Sequence, residues 1–414
     1  MRLITDLHIH SRWSRGCSKE LVLPKIAAAC VRKGIALVGT GDCLHPAWRE
    51  SIGQELAESG PGVFALREGA SPTRFLLTTE IACIYSRGGK VRRLHHVLMF
   101  PSLAALDRFI QALSDRGCNL KSDGRPIVGL DSEELLKLLL EADSECLLIP
   151  AHAWTPWFSI FGSKSGFDSI EECFGQMAPH IPAIETGLSS DPSMNWRLSA
   201  LDKILLVSNS DAHSLDNLGR EANVFEMDAP SFPELRRILV ERDLSKFIET
   251  IEFFPEEGKY HVDGHRDCGF WCEPAETKRL KGICPRCGKP LTIGVLNRVE
   301  ELADRPPHPD RPPGAAPFRY CVPLAEIVAD CLGVGKASKR VKTVLDGLLR
   351  AGYGEFQILL DLPDSELVKL AGDELASAIL NMRSGQVEIR PGYDGEFGVV
   401  KVRGVKQKRQ EKFL

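Results

Sequence analysis

No apolar stretch of this 414-residue chain approaches the ~18 residues that span a bilayer, so no membrane-embedded segment is expected. An excess of one charge is missing too: 52 basic against 56 acidic side chains leave a formal net charge of −4 and a pI near 6.3. Any polyanionic partner must therefore be held by local patches or bound cations. The chain has no serine nucleophile elbow, no triphosphate-binding loop and no dinucleotide fingerprint. No long internal repeat is evident, and with a strand-like run starting at Arg2 no secretory leader is expected. The thirteen cysteines are an odd set, and Cys30, Cys83 and Cys146 lie inside apolar patterns as small buried thiols. Reduced thiols, a metal site and a cytoplasmic location are the expectation, with no disulfides.

What the sequence does have is seven short apolar runs that each end in a metal-capable residue. The first, Leu3-Ile4-Thr5-Asp6-Leu7-His8-Ile9-His10, spaces two histidines so that on an extended strand both face one side. The others end at Asp42, Glu80, His95-His96, His152, Glu185 and Asp211-Ala212-His213. Adjacent residues of a strand point to opposite faces, so only one of His95 and His96 can join such a site, and the reading favours His96. His45, Glu185 and Asp191 stay open between ligand and substrate contact. Helical runs at Leu21–Arg32, 102–116 and 132–142 alternate with the strands. This pattern predicts an α/β, barrel-like enzyme with mostly parallel strands over residues 1–252 and its chemistry at the C-terminal strand ends. Arg74 to Phe100 departs from it as two strands around the Gly88-Gly89 turn.

Histidines and carboxylates without thiolates suit zinc, manganese or iron, and this many ligands can hold two or three ions that share a carboxylate. Such a centre makes water nucleophilic near neutral pH and clamps phosphate oxygens, so phosphoester hydrolysis is the expected chemistry, with amide hydrolysis still open. Trp154, Trp157 and Phe158 follow His152 in one loop and, with Trp13, could stack on bases or pack as a loop core.

Residues 253–303 carry a second, separate ligand set. His265 and Cys268 precede Cys284 and Cys287 by fifteen residues, and each pair has the two-residue gap of a structural zinc knuckle. Cys272 and His261 are spares, either of which could replace His265. Residues 304–317 are a proline-rich linker, and 318–400 read as a mainly helical C-terminal domain ending in a hairpin. Lys336, Lys339 and Arg340 surround a glycine-containing helix start, which could bind phosphate or be an ordinary turn. The tail, 401–414, holds six basic residues against one acidic and ends in a glutamine followed by Phe413-Leu414. Attraction to DNA, or docking on a sliding clamp, are its two functional readings.

Together, His8-Ile9-His10, Asp42, Glu80, His96, His152 and Asp211-Ala212-His213 resemble the motif set of the polymerase and histidinol phosphatase (PHP) superfamily over residues 1 to about 225. The resemblance implies a distorted (β/α)7 barrel with two or three divalent metals, zinc, manganese or magnesium, held by these residues, with Asp211, His8 and His10 at the catalytic centre. The second motif reads Gly41-Asp42-Cys43 where the superfamily has Thr-Asp-His, and His45 stands as the substitute ligand. The whole chain, through KYHVDGHRDC, ICPRCG, VPLAEIVADCLGVG and PGYDGEFG, resembles the endonuclease Q family. That implies incision of DNA 5′ of deaminated bases (uracil, hypoxanthine, xanthine) and at abasic sites. A small-molecule phosphatase of the histidinol phosphate type would share the barrel but not need the knuckle or linker, and a non-catalytic nucleic-acid-binding protein would not need the full ligand set.

Overall fold

Leu3, Ile4 and Thr5 are buried in the first strand, β1 (Arg2–Asp6), which runs parallel to β2 (Leu37–Gly39). The computed structural model describes residues 1–402, so residues 403–414, with most of the basic tail and its clamp-docking reading, lie outside the described residues. β2 pairs in parallel with the long β3 (Arg74–Arg87), which turns through Gly88 and Gly89, both at positive φ, into β4 (Lys90–Phe100). A two-residue turn can only return the chain antiparallel. β4 then pairs antiparallel with β5 (Leu147–Pro150), which again points the same way as β1. The hairpin agrees with the sequence, but the sheet as a whole is mixed rather than mostly parallel, with further antiparallel pairings at both flanks.

β6 (Ala183–Glu185) and β7 (Leu205–Val207) form a separate parallel pair. Hydrogen bonds tie it to the larger sheet at both sides: the Ala153 N–H donates to the Glu185 carbonyl at 2.9 Å, and the His10 N–H to the Ala212 carbonyl at 3.0 Å. The C-terminal ends of β1, β5, β6 and β7 thereby converge. Outside this group, β8 (Ala222–Glu226) pairs antiparallel with β1, and β9 (Phe247–Glu252) antiparallel with β8.

The helices follow their sequence signals closely. Leu23–Lys33 has proline in its first turn and stops at Gly34, whose φ of 87° no side-chain-bearing residue adopts easily. Leu103–Asp115 is capped by Ser102 accepting the Ala105 N–H, and Ser132–Ala142 by Asp131 accepting the Glu133 N–H. Leu135, Leu136, Leu138 and Leu139 bury one stripe of the latter in the main core. No helix among the described residues is long and apolar enough to cross a membrane.

After the linker the chain does not go straight into helices. β10 (Phe318–Tyr320) first adds in parallel to β9. Only then come the helices Leu324–Leu332, Lys339–Leu349 and Asp364–Arg383, and the hairpin Glu388–Arg390 with Val399–Lys401. The start of the linker is pinned rather than free, since Arg305 forks onto Asp202 and Asp304 accepts from Ser199. The helical part leans on Leu23–Lys33, where a Cβ on Gly354 would stand 3.0 Å from the Gly34 Cα.

Gly39 sits where β1, β2 and β3 come closest: a Cβ there would lie 2.3 Å from the Thr78 hydroxyl and 2.6 Å from the Leu7 carbonyl oxygen. Gly39→Ala should cost about 1–3 kcal/mol through overpacking. The measurement is the urea midpoint, and an unchanged midpoint would mean that these strands can part without penalty.

Candidate metal centre

The C-terminal strand ends bring two sets of ligand atoms together. His8, His10, Glu80 and Asp211 place one donor each within 4.8 Å of one another, and Glu80, His95 and His152 form a second such group. Glu80 belongs to both. Its Oε2 lies 3.3 Å from His10 Nε2 and 3.7 Å from His8 Nε2, while its Oε1 lies 2.6 Å from His95 Nδ1 and 3.1 Å from His152 Nε2. A carboxylate presenting one oxygen to each side is the arrangement of a ligand that bridges two cations. The residues fit metal on a further ground: His8 Nε2 is buried in this cluster with no hydrogen-bond partner.

The backs of the two leading histidines are held by carboxylates. His8 Nδ1 lies 3.0 Å from Glu185, and His10 Nδ1 lies 3.1 Å from Asp42 Oδ1, so both Nε2 atoms face inward. Carboxylate-to-histidine contacts of this kind orient metal ligands and raise their basicity. Asp42 has no oxygen left for a cation, because its Oδ2 accepts from the Ser11 N–H, the Ser11 hydroxyl and the Ser14 hydroxyl. Here the structure departs from the sequence reading, which made Asp42 a ligand. Asp42, His152 and Asp211 all adopt positive φ (49°, 28° and 46°), backbone strain of a kind that collects at functional sites. Gly187 makes room for it, since a Cβ there would be 2.5 Å from the His152 Cβ.

Electrostatics favour positive charge in the centre. Burial opposes protonation of His8 and His10, but Glu185 and Glu80 around the first, and Asp211, Asp42 and Glu80 around the second, hold both pKa values well above the ordinary histidine value. Burial would likewise raise Glu80, yet His95, His10, His152 and His8 keep it well below the usual carboxylate range. His95 goes the other way, pulled to about 4 by burial despite Glu80.

The choice of His96 is corrected by strand register. Glu80 stands opposite Val97, and residues two apart share a face, so His95 lies on the Glu80 side and His96 on the other. There His96 Nε2 bonds the Ser132 hydroxyl at 2.9 Å, its ring packs on Phe174, and burial lowers its pKa to about 3. His45 is not in the cluster; it precedes the helix Pro46–Glu55, its Nε2 lies 3.3 Å from the Lys121 carbonyl, and its ring stacks on Trp13. His213 borders the cluster without joining it, its ring 4.6 Å from that of His10. Glu185 orients His8, while Asp191 caps a short helix and accepts from the Tyr320 hydroxyl.

Of the aromatic candidates, Trp154 is unavailable for stacking: it is buried on Phe161 with its Nε1 donating to Asn195. Trp157 is exposed beside Tyr260, and Phe158 packs 4.6 Å from His95. Lys336 pairs with Glu326, and the helix at Lys339 and Arg340 is already capped by Ser338. The sequence reading missed Arg125, whose guanidinium is 3.0 Å from Glu80 Oε2. It lies in a loop without periodicity, and nothing in its neighbours flags it.

The second ligand set assembles as the spacing implies. His265, Cys268, Cys284 and Cys287 place their donors within 4.8 Å of one another. Each knuckle closes on a glycine at positive φ, Gly269 and Gly288. Burial works against a Cys284 thiolate, but the Arg286 and Cys287 N–H groups aimed at its sulfur hold its pKa below the usual thiol value. The spares stay outside: Cys272 contacts the Thr277 hydroxyl, and His261 is buried elsewhere with its pKa lowered to about 4.

Comparison with known proteins places this geometry. The chain is 33% identical to the lesion-specific endonuclease PfuEndoQ from Pyrococcus furiosus, with a TM-score of 0.86 over 97% of this chain and 95% of that one. A structure of endonuclease Q with a 27-mer duplex carrying an abasic lesion at the active site matches at 33% identity and a TM-score of 0.85, over 99% of both chains. The chain belongs to the endonuclease Q family. YqxK of Bacillus subtilis, an uncharacterized protein, is 31% identical over 97% of this chain and 99% of its own length. MJ0043 of Methanocaldococcus jannaschii, also uncharacterized, is 31% identical over 64% of this chain but only 33% of its own length. The family model described as the MJ0043 C-terminal domain matches residues 323–386. Within the endonuclease Q family, then, the helical C-terminal part of this chain carries a recognised module of its own.

With His8 and His10 as ligands, their raised pKa values mean that a cation competes with protons, so metal binding to this centre should release protons and weaken as pH falls through those values. Calorimetric titration of chelator-treated protein with Mn²⁺, in buffers of different ionisation heat, measures both. Binding that is independent of buffer and of pH would contradict the ligand assignment.

Proposed function

We propose that this chain is a metal-dependent DNA repair endonuclease that hydrolyses the phosphodiester 5′ of deaminated bases (uracil, hypoxanthine, xanthine) and at abasic sites. The observation that carries the reading is the Glu80-bridged pair of ligand groups, in a chain alike over nearly its whole length to an endonuclease Q bound to lesion DNA. The strand circuit β1 to β7 is read as the distorted seven-stranded PHP barrel, with His8, His10, Asp211, Glu80, His95 and His152 as the ligands. When bound, a pair of divalent cations supplies a water of lowered pKa and neutralises charge on the phosphate.

The chain's own residues do the rest. Glu185 and Asp42 keep the His8 and His10 Nε2 atoms turned to the centre, and Asp211 adds an anionic oxygen beside both. Arg125, part-exposed next to Glu80, is placed to hold a non-bridging phosphate oxygen. A lesion base has to leave the stack for its own 5′ phosphate to reach a site this deep, and unstacking is cheapest for mispaired or damaged nucleotides. Trp157 and Phe158, at the His95 end of the centre, offer faces for the displaced base. The tetrad in residues 253–303 is read as a structural zinc site that fixes this small module on the barrel, to which Arg298 also ties it through the Phe161 and Phe167 carbonyls.

Asp211→Asn should lower incision of a uracil-containing duplex by about 100-fold or more, beyond the 10–100-fold typical of outer-shell changes, with folding and DNA binding retained. Near wild-type turnover with saturating Mn²⁺ or Mg²⁺ would refute the reading. Cleavage of histidinol phosphate without nicking of lesion DNA would replace it with the phosphatase alternative. Cys284→Ser should release one tightly bound zinc and loosen the 253–303 module, because binding at such a site is folding energy. Metal analysis and limited proteolysis check this, and wild-type protein without tightly held zinc would overturn the assignment.

A further inference from the structure

Aromatic and imidazole rings line the centre in a row. Phe158 packs on His95 (4.6 Å), His95 on His152 (5.2 Å), His152 on His8 (6.1 Å) and His8 on His10 (5.6 Å). Past His10, through Asp42 and Ser14, stands a second aromatic station: Trp13, stacked on His45 at 4.7 Å with the rings 17° apart. Phe158 contacts the His95 end of this chain of rings, and Trp13 is linked to its His10 end through Asp42 and Ser14.

Trp13 is 42% exposed, an unfavourable setting for a large apolar ring that seals no core. Its placement is nevertheless rigid. Its N–H donates to the Ser11 hydroxyl at 3.1 Å, and its carbonyl accepts the Gly124 N–H at 3.1 Å. Ser11 and Ser14 are both bonded to Asp42, the residue that orients His10. Gly124 can approach because it has no side chain; a Cβ there would lie 2.3 Å from Asp42 Oδ2 and 2.4 Å from the Ser14 hydroxyl. The same loop carries Arg125 to Glu80, and His45 is anchored on the Lys121 carbonyl. An indole is thus held with one face on an imidazole and part of its surface open to solvent, on the hydrogen-bond network that sets the metal ligands. A flat aromatic face stacks on any base, so such a surface is tolerant of sequence.

We propose that Trp13, backed by His45, is the stacking platform for the undamaged base immediately 5′ of the scissile phosphate. This rests on the endonuclease reading above, in which the lesion base occupies the Phe158 end. The two stations would then hold the nucleotides on either side of the reacting phosphate, and sequence tolerance at the 5′ position follows.

The test uses two duplexes, one with uracil and one with an abasic site, each carrying 2-aminopurine at the 5′ neighbour, mixed with the metal-loaded enzyme and followed by stopped flow before incision. Wild type should change the 2-aminopurine fluorescence with both. Trp13→Ala should lose that signal and bind both duplexes about tenfold more weakly, Trp13→Phe should keep most of it, and metal content should not change. Unchanged fluorescence and affinity in Trp13→Ala, with wild type active, would refute the platform alone. Weakening confined to the uracil duplex would reassign Trp13 to the lesion base and refute the proposal. Failure of wild type to bind or nick either duplex would bring down the endonuclease reading and this proposal with it.

Discussion

One buried carboxylate organises the centre. Glu80 is fully enclosed, and a bare charge there would be costly, so it stays ionised only because His8, His10, His95, His152 and Arg125 surround it. Each of those five comes from a different stretch of chain or a different strand position, which means that the strands must be in register before the charge is compensated. The site and the sheet are thus mutually dependent. A one-residue slip of β4 against β3 would replace His95 with His96 and leave Glu80 short of a partner.

Around that carboxylate the outer layer is as specific as the inner one. Asp42 and Glu185 do for His10 and His8 what no ligand could do for itself, fixing which nitrogen faces the centre. Strained backbone occurs in both layers, at Asp42 in the outer one and at His152 and Asp211 in the inner, and the packing of Gly124 against Asp42 and of Gly187 against His152 shows how little space the strain leaves. Such positions persist only where the surroundings over-determine them.

Much of this was legible in the residues themselves. His8 and His10 share a face because they are two apart on a strand, and Cys284-Pro-Arg-Cys287-Gly288 carries both its ligand gap and its turn residue. The first strand and the helices Leu23–Lys33, Leu103–Asp115 and Ser132–Ala142 follow periodicity and caps, whereas the helix Pro46–Glu55 and the hairpin of Leu56–Gly60 with Val63–Leu66 are not among the elements read from the sequence. What was not legible depended on pairing between distant segments. The choice between His95 and His96 needs the register of β4 on β3. The displacement of Asp42 from ligand to orienting group needs the serines of the loop after β1. Trp154 looked like its neighbour Trp157 until the core closed over it, and Arg125 has no local pattern at all. The hairpin at Gly88-Gly89, and with it the reversal of one strand, was visible, but not that the reversed strand would pair with Leu147–Pro150.

β10 has a consequence for how this protein can be handled and how it reaches its native state. It lies beyond the proline-rich linker, yet it hydrogen-bonds along β9 and covers that strand's outer edge. A chain cut at the linker would keep every ligand of the metal centre and still present unpaired N–H and carbonyl groups along Phe247–Glu252, a template on which other copies can add. The same exposure exists transiently during synthesis, after residue 252 has emerged and before residue 320 has. Phe318–Tyr320 is, among other things, the cover for an adhesive edge.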